Sequence, residues 1–161
     1  MDITPQGAPR VAAAIYGTIL VTAVIAYSSE DDDLGTGQIL IAVVVTLVVY
    51  WLAHVYTDVL GARMAGSTAP LRDVVRRVAA DEWPLVQATI APAIPLLLGA
   101  TDALSRSTAV NLALGVALAD LCGWGYRAAR ASHQSRAKSA VSALLAVALG
   151  LLVVLLKNLL H

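Results

Sequence analysis

The chain has 161 residues, of which 58% are hydrophobic and 14% are charged, and its formal net charge at pH 7 is zero. Soluble domains carry charge on about a quarter of their residues, so this composition and a mean hydropathy of +0.75 predict a membrane protein. A single cysteine excludes an internal disulfide, and no basic segment is large enough to indicate nucleic-acid binding.

Apolar segments separated by short polar joints predict an all-α integral membrane bundle in one domain, residues 1–161. Continuous apolar runs of this length form helices, because each backbone group must find its hydrogen bond within the segment. The five predicted spans are Val11–Tyr27, Ile39–Leu60, Trp83–Thr101, Ala109–Tyr126 and Ala140–Leu156. Residues 24–26 resemble a signal-peptidase site, but the first span is longer than a usual h-region of about 7–15 residues, so we expect it to be retained.

The second span carries a polar stripe made of Tyr50, His54, Thr57 and Asp58. An ionisable side chain at bilayer depth costs about 2.5–3.5 kcal/mol and usually faces the bundle interior, a partner or a water-filled cavity. We therefore consider these four residues a candidate site for binding protons or small cations.

The joint after the second span predicts a short amphipathic helix at about residues 70–81 on the cytoplasmic membrane surface. Leu71, Val74, Val75 and Val78 recur there at helical spacing, and arginines occupy the other faces. This helix is expected to be either a solvated connector or a docking surface for a partner.

Three prolines in the third span, Pro84, Pro92 and Pro95, remove backbone donors. They predict a kink or a partly re-entrant path.

The fourth span contains Asp120 within a helix of small and apolar residues. Counting at about 1.5 Å per residue places Asp120 and His54 in the same half of the bilayer, with Arg127 about two turns beyond Asp120. We expect a polar network in which His54 and Asp120 form the central pair. The structural alternative is that these groups bond one another, or an arginine, to fix helix register.

The fifth span carries a ladder of small residues, Ser142, Ala146 and Gly150, that predicts close helix packing within the bundle or between protomers. Trp51 and Trp124 are expected to be anchors at the membrane interface.

Basic residues are concentrated in the joints after the second and fourth spans. They are Arg63, Arg72, Arg76, Arg77, Arg127, Arg130, Arg136 and Lys138. The joint after the first span is acidic, and the joint after the third span contains only Arg106. The positive-inside rule then predicts a cytoplasmic N-terminus and an external C-terminus.

Three functional hypotheses follow. The first is a proton- or cation-translocating channel or transporter with its polar site between the second and fourth spans. The alternatives are a non-catalytic structural or accessory subunit that binds another membrane protein, and a membrane-embedded lipid-modifying enzyme. The sequence has no P-loop, Rossmann or zinc-protease motif, so we predict no cofactor, no metal and no catalytic residue.

The expected partners are the lipid bilayer, protons or small cations, and either further copies of the chain or a membrane partner protein. Arginine exceeds lysine and alanine is abundant, which is typical of high-GC bacteria, so the expected location is a bacterial cell membrane.

Overall fold

The computed structural model describes residues 8–131 and 135–159, and every regular element within these ranges is an α-helix. The predicted all-α class is therefore confirmed for this part of the chain. The helices are α1 (Ala8–Ser28), α2 (Thr36–Met64), α3 (Leu71–Gln87), α4 (Ile90–Ala100), α5 (Arg106–Ala131) and α6 (Arg136–Leu159).

Three or four segments of the structure are long and apolar enough to cross a bilayer, which indicates a membrane protein. They are found in α1, α2 and α5, and α3 with α4 meets the same criterion as one span bent by 47°. Within the described residues, the apolar part of α6 is the shorter segment Ala137–Leu152. A helix needs about 20 residues to cross a hydrocarbon core of about 30 Å, so a fifth span remains a prediction.

The amphipathic helix expected over residues 70–81 is longer in the structure, because α3 continues through Pro84 to Gln87. The interruption falls instead at Ala88 and Thr89, where the bent pair changes direction. The prolines thus do bend the third span, but the bend lies within the span and not at its start.

Side chains from two other helices allow α3 to continue past Pro84. A proline has no N–H, so the carbonyl of Ala80, four residues earlier, loses its helical donor. The Nη2 atom of Arg10 donates to this carbonyl at 3.2 Å, and the Nε1 atom of Trp51 donates to the neighbouring carbonyl of Ala79, also at 3.2 Å. The α1 helix therefore supplies the donor that Pro84 removes, and α2 is attached to α3 at the next carbonyl along the chain.

The α1 helix occupies the centre of the bundle, where it contacts α2, α3, α5 and α6. Its Thr18 and Thr22 are fully buried, and their hydroxyls donate to carbonyls one turn earlier at 2.8 Å, so both of these hydroxyls are hydrogen-bonded inside the core. Close approach of α3 depends on Gly17, since a Cβ atom there would lie 2.5 Å from the carbonyl oxygen of Leu85.

One end of the bundle is held together by Arg106 at the start of α5. Its guanidinium donates to the carbonyls of Ser29, Asp31 and Leu34, at 2.7–3.1 Å, and lies 3.5 Å from the Asp32 carboxylate. The α1–α2 and α4–α5 joints therefore share this end, which we call the acidic end. The start of α1 and the α2–α3 joint lie at the opposite end, which we call the basic end.

The small-residue ladder of α6 packs within the bundle. A Cβ atom on Gly125 of α5 would lie 3.0 Å from that of Ala146, and one on Gly150 would lie 2.6 Å from Leu121. Of the two expected uses of the ladder, the structure shows the packing between α5 and α6 for Ala146 and Gly150.

Replacing Gly17 by Ala is expected to destabilise the protein by about 1–3 kcal/mol, because the new methyl group has to displace the backbone of α3. The measurement is thermal unfolding of the purified protein in detergent. Gly115→Ala is the matched control: a Cβ atom there has no neighbour within 4 Å, so this change is expected to be neutral or to stabilise by about 0.5–1 kcal/mol. Equal stabilities of the two variants would contradict the packing described above.

Candidate functional site

The polar stripe of α2 is divided between two environments, the first of which is an aromatic cluster facing α1. The His54 ring lies 5.4 Å from the Tyr16 ring, and the Tyr16 and Tyr50 rings are 6.2 Å apart. The Nδ1 atom of His54 lies 2.9 Å from the carbonyl oxygen of Tyr50. A carbonyl only accepts, so Nδ1 carries the proton in this bond and leaves Nε2 as the proton acceptor of the neutral ring.

The second environment is the exposed part of the stripe, towards the basic end. Thr57 is exposed and its hydroxyl donates to the carbonyl of His54 at 3.0 Å, so it is occupied within its own helix. Asp58 is also exposed, yet it lies close enough to the half-buried Glu82 of α3 to act on it electrostatically, as does His54. The structure therefore adds Glu82 to the predicted group.

The sequence pattern did not indicate Glu82 as a site residue, because Glu82 stands at the predicted boundary between the interfacial helix and the third span. The signal that could have found it is the antiparallel return of α3 along α2, which brings the residue before Trp83 back to the level of Trp51. The two indole rings make an edge-on contact with centroids 5.5 Å apart.

The depth of His54 explains how an ionisable residue is tolerated in this apolar helix. His54 lies about 27 Å along α2 from Thr36, and Arg10 lies about 27 Å along α1 from Ser28. Both residues are therefore about one hydrocarbon thickness from the acidic end, next to the Trp51–Trp83 pair. Tryptophan is enriched at the membrane interface, so we expect this level of the bundle, with His54 and Asp58, to lie near the interface of the basic end.

Asp120 is placed differently, in the wall of a half-open cavity of about 220 Å³ at the surface of the bundle. The cavity lies between α1, α5 and the bend that joins α3 to α4. Its lining residues are Ala14, Pro84, Gln87, Ala88, Ile90, Ala91, Asp120 and Trp124. Asp120 is half-buried and has no ion-pair or hydrogen-bond partner among the residues that the structure describes. Its carboxylate therefore lacks the arginine that the structural alternative requires.

The bend opposite Asp120 leaves backbone groups without their helical partners. Pro92 and Pro95 have no N–H, so the carbonyls of Ala88 and Ala91 lack the donor four residues later. Both of these alanines line the cavity. Between them, the buried hydroxyl oxygen of Thr89 has no hydrogen-bond partner among the described residues. The bend therefore brings two residues whose carbonyls lack their usual helical donor into the lining of the cavity that contains Asp120.

The structure does not place Asp120 beside His54, because α1 lies between them. Tyr16 of α1 contacts His54, while Ala14 of α1 lines the cavity with Asp120. Residues that are two positions apart point in directions that differ by about 200° around the helix axis, so Ala14 and Tyr16 occupy opposite sides of α1. The main contacts of α2 are accordingly with α1, α3 and α4.

Arg127 lies at the basic-end side of the cavity. Its guanidinium carbon is 5.0 Å from the centroid of the Trp124 indole, which is a cation–π contact. Trp124, expected to be an interfacial anchor, is thus part of the cavity wall. Of the six predicted site residues, the structure groups Tyr50 with His54 and Asp120 with Arg127, the latter through Trp124.

Chemically, the cavity offers one carboxylate, one amide, an indole and two backbone carbonyls that lack their usual helical donor. No group of three or more His, Cys, Asp and Glu side chains within the described ranges is arranged to hold a metal ion. Such a set of groups can bind a proton or a monovalent cation. Comparison with protein-family models, with curated proteins and with solved structures finds no match to this chain.

Replacing Asp120 by Leu is expected to stabilise the protein by about 1–3 kcal/mol, because an unpaired carboxylate is removed from a bilayer-spanning helix. The measurement is thermal unfolding in detergent or in lipid nanodiscs. Asp120→Asn, which keeps the shape but removes the charge, is expected to give a smaller increase. A loss of stability in both variants would show that the carboxylate fixes helix register, as the structural alternative holds.

Proposed function

We propose that this chain is a small multipass protein of a bacterial cell membrane that translocates protons or small cations, with Asp120 as the central binding group. The observation that carries the proposal is an unpaired carboxylate that lines a cavity at a bend in a neighbouring span. Unpaired ionisable groups in membrane helices are costly and usually serve transport or proton transfer.

The bend supports this proposal independently of the charge. Many secondary transporters use discontinuous helices, whose freed carbonyls coordinate the coupling ion near the middle of the bilayer. Here the carbonyls of Ala88 and Ala91 are freed by proline, and Asp120 lies about 21 Å along α5 from Arg106. A cation in the cavity would give these carbonyls and the Asp120 carboxylate the partner that they lack.

The residues at the basic end form the aqueous approach in this proposal. His54 accepts a proton at Nε2, and Glu82 and Asp58 provide carboxylates beside it. Tyr50 orients the imidazole through its carbonyl oxygen, while Thr57 completes the polar surface of α2. Arg127 borders the cavity on the same side.

The proposed topology has five spans, with the basic end in the cytoplasm and α6 as the fifth span. It is supported by the contacts of Arg106, which group the acidic joint with the joint after α4. The arginine-rich α2–α3 joint lies at the other end, as the positive-inside rule requires of a cytoplasmic face. Oligomerisation through the exposed face of α2 belongs to the same proposal.

An accessory subunit is the second candidate function, and the end of α2 favours it. This helix continues about 15 Å beyond His54, and Tyr56, Leu60 and Met64 are exposed there at intervals of one turn. Such an apolar row beside arginines suits docking to another membrane protein.

Proton and cation flux into liposomes that contain the purified chain tests the first candidate. Asp120→Asn is expected to lower the flux by about tenfold or more, since its binding group contributes at least about 1.4 kcal/mol. His54→Gln is expected to lower it less, because His54 serves only the approach.

Asp102→Asn is the matched control for charge. Asp102 is exposed in the α4–α5 joint with a φ of 60°, a conformation that Asn also tolerates, so its flux should equal that of the unchanged chain. Flux that is unaltered in Asp120→Asn would exclude the first candidate, and a chain without flux that co-purifies with a membrane protein would favour the second.

A further inference from the structure

We propose that the cavity at Asp120 binds a primary ammonium group carried on a short apolar body, which enters from the side of the bundle. This inference rests on the proposed function and names the chemical class of the cation.

The size of the cavity exceeds what a bare inorganic cation needs. Its volume is about 220 Å³, whereas one water molecule takes about 30 Å³ in the liquid. Drug-sized ligands occupy pockets of about 300–1,000 Å³, so the occupant is smaller than those. An ion with several waters would also fill the space, but waters need polar partners on most sides.

Polar groups come from two sides of the cavity. Asp120 supplies a carboxylate from α5, and the bend supplies the amide of Gln87 and the carbonyls of Ala88 and Ala91, whose i+4 residue is a proline without an N–H. A primary ammonium carries three N–H donors, which suits one carboxylate and two backbone oxygens. A charged donor also gives hydrogen bonds about twice as strong as those of a neutral one.

The remaining walls are apolar. Ala14, Pro84 and Ile90 surround the space, and the indole of Trp124 adds a flat surface. These groups do not stabilise waters, but they favour a short hydrocarbon or aromatic body attached to the ammonium.

The side of the bundle is the route of entry. Gln87 and Ile90 line the cavity and are also exposed on the outer surface, part-way along the bent span. An amphiphilic ammonium dissolved in the bilayer would meet the cavity at this opening, next to the indole of Trp124.

Equilibrium dialysis of phenethylammonium against the purified full-length chain in detergent tests the proposal. We expect saturable binding, weakened at least about tenfold, or about 1.4 kcal/mol, by Asp120→Asn. Ala91→Leu, which keeps the carboxylate but fills the cavity, should weaken binding by a similar factor. Asp102→Asn, which removes an exposed carboxylate elsewhere, should bind like the unchanged chain.

Two further probes separate the contribution of the ammonium head group to binding from that of the apolar body. Methylammonium has the head alone and 2-phenylethanol has the body without charge, so both should bind at least about tenfold more weakly than phenethylammonium. Equal binding of phenethylammonium by Asp120→Asn and the unchanged chain would overturn the proposal, as would competition by sodium ions at the same concentration as the probe.

The outcome is distinguishable from that of the flux experiment. Loss of flux in Asp120→Asn without any phenethylammonium binding would overturn this inference and leave proton or inorganic cation transport standing. Binding without flux would support the ammonium site and exclude transport.

Discussion

The first three helices are joined at the turn before Pro84, whose missing N–H leaves the carbonyl of Ala80 to a side-chain donor. Arg10 and Trp51 donate to consecutive carbonyls of α3, so the first two helices are fixed to the third at the level where the backbone is weakest. A proline inside a helix usually costs about 3 kcal/mol or more, part of which the charged donor of Arg10 recovers at the carbonyl of Ala80. The packing of Leu85 against Gly17 then continues from that point towards the bend.

The central position of α1 separates the polar residues into two groups with different physical roles. His54, Asp58 and Glu82 lie at the level of the Trp51–Trp83 pair, where Asp58 is exposed. Asp120 lies against a bend where prolines have removed helical donors. The α1 helix stands between the two groups, so any exchange between them has to pass around it and cannot proceed through a direct His54–Asp120 bond.

The sequence was sufficient for the class of fold, because apolar length and the loss of proline donors act locally. Both the all-α class and the bending of the third span follow from such local signals. The neighbours of Asp120 were not predictable, since they depend on which faces of α1 and α5 turn towards the bend. Glu82 was missed because its significance arises only when α3 folds back along α2, and Trp124 was assigned to the interface from its residue type alone.

The hydrogen bonds of Arg106 determine which helices are joined at the acidic end of the bundle. By donating to three carbonyls of the α1–α2 joint, it ties the start of α5 to the end of α1 and the start of α2 at the acidic end. The α3–α4 segment takes no part in these bonds, and it bends by 47° between the two helices. A change in that angle would therefore alter the space at Asp120 without breaking any bond of the Arg106 guanidinium.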